Sequence, residues 1–276
     1  MTYASLLVAV EDGPESDSRL ELACDLANAF NAYLIGLCAG SIAPPLYDPL
    51  VGGVMVGELV TLYREMAEGE VERARTRFAA IVRNRDVGSE WRGQIGFPGE
   101  MCSRAARAAD LLILGGRNKR APYHAPDVAD VLMGCGRPVL VTPPTRVRSP
   151  VGEHALVAWK DCREARLALA GAVPLLQRAR GVTVYAVHSN EDDGSAEAEL
   201  ADVVKFLGRH QIAAESVTAI RGEGSTGRQI LDEALARSAG LIVAGGYGHG
   251  RMREWALGGV TRDLIHESPI CLCLAH

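Results

Sequence analysis

Ala239-Gly240-Leu241-Ile242-Val243-Ala244-Gly245-Gly246 is the stretch that decides the fold. The apolar run Leu241 to Ala244 leads without a break into paired glycines. That is the pattern of a parallel strand buried on both faces and ending at a turn where an α/β sheet binds ligands. The pattern occurs once before, as Ala109-Asp110-Leu111-Leu112-Ile113-Leu114-Gly115-Gly116. Two copies of one strand and its glycine turn imply a tandem duplication, so the flanking segments should repeat as well.

They do repeat. Leu6-Leu7-Val8-Ala9-Val10 reads as a strand, residues 16–30 as a helix from the spacing of Leu20, Ala23, Leu26 and Ala27, and residues 33–37 as a second strand, which makes a βαβ unit. Residues 40–57, rich in Pro, Gly and Val, read as a loop, and residues 58–84 as a long helix with one charged, solvated face. A strand at 89–94, a helix at 100–109, the strand at 111–114, a helix at 127–133 and a strand at 138–141 complete the first half. Pro143-Pro144-Thr145-Arg146-Val147-Arg148-Ser149-Pro150 is a linker, since its prolines continue neither helix nor strand. After it, Ala155-Leu156-Val157-Ala158-Trp159 takes the place of Leu6 to Val10, and helix 163–179, strand 182–187, helix 196–210, strand 214–220 and helix 227–238 follow in the same order. Arg137-Pro138-Val139-Leu140 lies over Ser268-Pro269-Ile270-Cys271. The expectation is an α/β protein of two tandem, open parallel-sheet, Rossmann-like domains with about five strands each, at 1–144 and 152–276.

Composition agrees with that class and narrows the partners. Of 276 residues, 48% are hydrophobic but only 5% aromatic, so the core must be filled by Ala, Val, Leu and Ile. A net charge of −5 provides no broad basic field for nucleic acid or an anionic membrane. No run is long enough to span a bilayer, and the first residues lack a signal-peptide pattern, so a cytoplasmic location is expected. Seven cysteines is an odd number, and Cys24, Cys38, Cys102 and Cys135 fall within apolar patterns, as reduced core thiols would.

Beyond the second glycine pair, Gly245 and Gly248 are separated by two residues, and nine more precede Gly258. Glycines let a phosphate approach bare N–H groups, so the clusters could form an anion cradle. Two ordinary turns flanking a short helix would read the same way, and the residues alone leave both open.

The element order and this spacing resemble the universal stress protein family in its tandem bacterial form. The pattern Gly, two residues, Gly, nine residues, Gly, then Ser or Thr marks that family's ATP-binding members. It is matched at Gly245, Gly248 and Gly258, while Gly259 stands where Ser or Thr is usual. The resemblance implies ATP or another adenine nucleotide, with or without Mg²⁺, in the second half. It places Ala244, Gly245, Gly248, Gly258, Gly259 and Val260 around the phosphates and ribose and Val187 at the base; read from their own chemistry and place, His249, Arg253 and Thr261 are further candidates at the phosphates, and Trp159 and Asp161 at the end of the first strand of this half. Lys160 occupies the position of the family's usual Asp, with Asp161 next to it. In the first half Asp127 stands where Gly258 does, so no ATP is expected there in the family's manner, and that half is a packing partner. A regulatory, stress-response module follows from the resemblance. The alternatives are an interaction protein without nucleotide and a slow ATPase using His249 or Asp161, with a homodimer left open.

Other chemistries fit less well. Cys271 and Cys273 share a strand face near His266 and His276, but an apolar last strand favours core packing over metal. Neither a Gly-x-Ser-x-Gly elbow nor a Walker lysine motif is present.

Overall fold

The structure, a computed structural model, describes residues 2–42, 53–116, 124–144, 147–188, 195–247 and 259–276. The first half runs β1 (Ser5–Ala9), α1 (Glu15–Phe30), β2 (Tyr33–Gly40), α2 (Gly53–Val82), β3 (Ser89–Ile95), α3 (Pro98–Ala105), β4 (Leu111–Gly115), α4 (Val128–Cys135) and β5 (Val139–Thr142). The second half repeats it as β6 (His154–Trp159), α5 (Arg163–Leu176), β7 (Gly181–His188), α6 (Ser195–Arg209), β8 (Ala214–Ile220), α7 (Thr226–Ala236), β9 (Ala239–Gly245), α8 (Gly259–Glu267) and β10 (Cys271–Ala275).

The strands form one sheet in the order β3-β2-β1-β4-β5-β10-β9-β6-β7-β8. Within each half every pairing is parallel, and the order turns back on itself at β1 and β4, and again at β6 and β9. The halves meet where β5 and β10 pair antiparallel, with Leu140 opposite Cys273. Two parallel, Rossmann-like halves therefore share one ten-stranded mixed sheet.

Helices cover both faces, which is why the strands read as continuous apolar runs rather than alternating ones. One face packs Leu6, Val8 and Leu111 against α1, α2, α5 and α6, through residues such as Leu20, Phe78, Ala168 and Leu207. The other packs Leu7, Leu112 and Leu272 against α3, α4, α7 and α8, through Cys102, Leu132, Ile230 and Leu264. Cys271 and Cys273 lie in the first of these cores, where burial pushes both thiols up to about 12. All seven cysteines are free thiols. No helix among the described residues is long and apolar enough to cross a membrane.

Several element ends shift by a few residues, β2 for instance running on to Gly40, and two differences are larger. The long helix begins at Gly53, inside the stretch read as loop. The overlay of Pro138 on Pro269 is also displaced. Val139 pairs with Leu112 on β4, and Leu272 pairs with Ile242 on β9, so Val139 corresponds to Leu272 rather than to Ile270. In the second half Ser268 folds the intervening turn, its hydroxyl donating to the Ile270 carbonyl at 2.8 Å.

Candidate functional site

The turn in strand order brings four strand ends side by side in the second half. Register places Ala158 beside Ala244, Trp159 beside Ala186, and Gly245 beside Ala275. Ala186, Trp159, Gly245 and Ala275 thus form a row across neighbouring strands, about 4.8 Å per step, with Val187 and His276 each one residue further along its strand. Of the expected site residues, Gly248, His249, Arg253 and Gly258 lie outside the described residues, and the others can be placed.

Ala244 is buried at the end of β9. A Cβ at Gly245 would stand 2.6 Å from the Ala165 backbone nitrogen and 2.9 Å from the Glu164 carbonyl carbon. The glycine lets the first turn of α5 press directly onto the strand end. The residue before this helix, Cys162, makes no side-chain cap, so the first-turn N–H groups and the positive end of the helix dipole face the glycine turn. Glu164 is held below the usual carboxylate range, first by a backbone hydrogen bond at its own position and also by the nearby His276.

Gly246 makes a different contact. A Cβ there would collide with the Leu132 side chain of α4, so the first half forms part of this wall. His276 Nδ1 lies 3.0 Å from the Gly246 carbonyl oxygen. A carbonyl only accepts, so Nδ1 carries the proton. Thr261 is buried, and its hydroxyl oxygen accepts the Tyr247 backbone N–H at 3.3 Å. The hydroxyl expected to replace the one lost at Gly259 therefore closes the turn. Burial, with Asp127 and Asp130 of the first half nearby, pushes the Tyr247 phenol up to about 12. Val260 is partly buried against the core under α3, α4, α7 and α8. Gly259 opens α8, and a Cβ there meets nothing of the described residues within 4 Å.

Beyond the other end of the row Val187 packs against the core under α3, α4, α7 and α8, and Trp159 has a buried indole Nε1–H without a hydrogen-bond partner. Asp161 is committed to Arg166, whose Nη2 and Nε lie 2.7 and 3.1 Å from one carboxylate oxygen. Sequence reading missed Glu164, His276 and Leu132. All three are neighbours of the glycines only through strand order and packing between halves, for which local sequence carries no signal.

The corresponding place in the first half is filled from within. Arg19 on α1 is 4% exposed, and its guanidinium occupies the space where a Cβ of Gly115 would be. It donates to the Ala9 carbonyl at 2.9 Å, to Ser16 and to the Glu11 carboxylate. Burial lowers its pKa to about 10, still far above neutrality, so the group stays charged and neutralises Glu11. Strand register puts Ala168 at the equivalent position in the second half, and Ala168 has no such group to offer. Asp127, equivalent to Gly258 in sequence, caps α4: its carboxylate accepts the Ala129 and Asp130 N–H groups at 2.8 and 3.2 Å.

A doubly wound sheet with a glycine turn and a helix N-terminus at its switch point is the arrangement at which α/β sheets bind ligands. Comparison with known proteins places this arrangement. The profile described as the universal stress protein family matches residues 153–274. A universal stress protein from Archaeoglobus fulgidus DSM 4304 shares the fold over 98% of this chain and 95% of its own, with a TM-score of 0.68 and 16% identity. A functionally unknown protein from Pseudomonas aeruginosa PAO1 matches 99% of this chain and 92% of its own, with a TM-score of 0.57 and 15% identity. A shorter Archaeoglobus fulgidus universal stress protein, described as in complex with dAMP, matches 45% of this chain and 98% of its own, at 26% identity and a TM-score of 0.35. Comparison with curated proteins found no match. Residues 153–274 thus match the universal stress protein family by sequence, and the full length shares its fold with a universal stress protein of similar length.

Proposed function

We propose that the protein is a regulatory, stress-response module that binds an adenine nucleotide, ATP or a close relative, at the strand ends of its second half. The observation that carries this reading is the start of α5, without a cap from Cys162, pressed against Gly245. A helix N-terminus meeting a glycine turn offers N–H donors and a positive field to a phosphate, although the Glu164 carboxylate already takes its own N–H. The spacing of Gly245, Gly248 and Gly258 supplies the rest of the cradle. The unpartnered indole N–H of Trp159 offers a donor on the next strand of the same row, on the side assigned to the base. In the first half the counterpart space is filled by Arg19 and its charge cancelled by Glu11, which fits a single site per chain.

No group of three His, Cys, Asp or Glu side chains among the described residues is arranged to hold a metal ion. A Mg²⁺ ion would arrive on the phosphates, close to Glu164 in the first turn of α5. Such an ion would offset repulsion between that carboxylate and the nucleotide.

One observation favours a different reading, an interaction protein without nucleotide. Packing alone requires Gly245 and Gly246 to be glycine, since α5 and Leu132 leave them no room for a side chain. Calorimetric titration with ATP, ADP and AMP, with and without Mg²⁺, separates the two. Nucleotide heat that disappears in Gly248→Val supports the site; absence of heat with all three nucleotides leaves the interaction protein. Phosphate release above that of the variant would add slow hydrolysis.

A further inference from the structure

The first half holds a cleft that has no part in the glycine turn. α2 packs directly on the end of β2, where a Cβ at Gly40 would stand 2.6 Å from the Ala67 carbonyl oxygen. Ahead of Ala67 the helix runs on past the strand: α2 has 30 residues, whereas its counterpart α6 has 15. The overhang roofs a space of about 510 Å³ at the strand ends of the first half. That edge is where α/β sheets take ligands, and the volume suits a small molecule.

The walls have a definite chemistry. Tyr63, Met66, Ala67 and Glu70 recur at helical spacing, so one face of α2 lines the cleft with an aromatic ring, a thioether and a methyl. Ring and thioether both pack well on a flat aromatic partner. Asp12 and Glu70 also line the space, but each carboxylate is already engaged, Asp12 by Arg73 at 2.5 Å and Glu70 by His124 at 3.2 Å. Ser41, the residue after β2, differs from them. It lines the cleft, is 6% exposed, and has a hydroxyl with no hydrogen-bond partner among the described residues. A buried hydroxyl without a partner is rare in a folded protein, and a ligand that supplies one removes the cost.

We infer that this cleft binds a flat, uncharged aromatic compound with a hydroxyl or amide on its edge. The ring lies against Tyr63, Met66 and Ala67, and the edge group makes a hydrogen bond with Ser41 Oγ, which meets it by rotation about χ1. A charge on the ligand would be buried without a partner, or would have to break the contacts that Asp12 and Glu70 already make. The ligand and the half of the chain both differ from those of the proposed nucleotide site, so either can fail without the other.

Fluorescence anisotropy of 2-naphthol titrated with the full chain tests this at about pH 7, where a phenol is uncharged. The comparison compounds are 2-naphthoate and 2-naphthylmethylamine, which carry the same rings with a negative and a positive charge, and decahydro-2-naphthol, which lacks the aromatic face. Saturable one-to-one binding of 2-naphthol is expected, at least tenfold tighter than that of any comparison compound and unmoved by ATP. Ser41→Ala should weaken it severalfold, and Tyr63→Ala at least as much, with thermal melts confirming that each variant is folded. If Ser41→Ala does not fold, Tyr63→Ala on the half-buried overhang decides. No saturation up to about 1 mM, displacement by ATP, equal binding of any comparison compound, or unchanged binding in the folded variants would overturn the inference.

Discussion

Replacing Gly259 with serine should tighten nucleotide binding. Gly259 is the first residue of α8, and a side chain added there meets no atom of the described residues within 4 Å. A hydrogen bond from that hydroxyl to a charged phosphate is worth about 1.5–3 kcal/mol, or roughly 10- to 150-fold in affinity. The effect on folding should be small, a few tenths of a kcal/mol, because serine and glycine are both tolerated at helix starts. Calorimetry of the natural protein, Gly259→Ser and Gly259→Ala with ATP and Mg²⁺ separates the hydroxyl from the stiffer backbone. Serine should tighten binding by at least tenfold and alanine by less than twofold. Equal gains from both, or no gain from serine, would refute the placement of phosphate at the start of α8.

Three further outcomes follow from the packing. Gly245→Ala forces a methyl into the backbone of α5 and should destabilise the fold by about 1–3 kcal/mol, lowering the melting temperature by several degrees, as read by calorimetric melts. Glu11→Gln strips the buried Arg19 of its counter-charge and should cost about 3–5 kcal/mol in urea unfolding, whereas Glu11→Leu combined with Arg19→Met should recover most of that loss. His154 is held below the usual histidine range by burial and then by Arg237 and Arg180, so the unfolded chain takes up its proton first. Stability from this group is therefore complete above about pH 6.5 and is lost as pH falls below it, and the slope in melts between about pH 7.5 and 5 should shrink in His154→Gln.

Much of the fold was legible because burial on both sheet faces leaves a strong local mark. Leu111 to Leu114 and Leu241 to Ala244 are apolar without interruption, and the duplication made each run corroborate the other. The joining of the halves was not legible, since Val139 to Thr142 and Cys271 to Ala275 look like any other buried strands, whatever they pair with. The overlay of Pro138 on Pro269 failed for a related reason: proline marks the entrance to a strand, while register is set by hydrogen bonding to β4 and β9. At the candidate site, glycine spacing pointed to the right strand end, yet the reason for Gly245 lies in the approach of α5, a contact between residues about eighty positions apart. Arg19 read as one more helix residue until its guanidinium was placed against Gly115.

The antiparallel seam between β5 and β10 also bears on what each half could do by itself. Cutting the chain between 144 and 152 and separating the pieces would bare a row of backbone donors and acceptors on two apolar strands. Neither strand carries a charge or a proline to discourage a new neighbour. Each fragment would seek another edge, and a second copy of itself offers a matching one, with the two-fold symmetry of an ordinary homodimer. Covalent linkage makes that contact intramolecular, and it lets one member of the pair, the half with Arg19 against its glycine turn, diverge while the other keeps its glycine spacing.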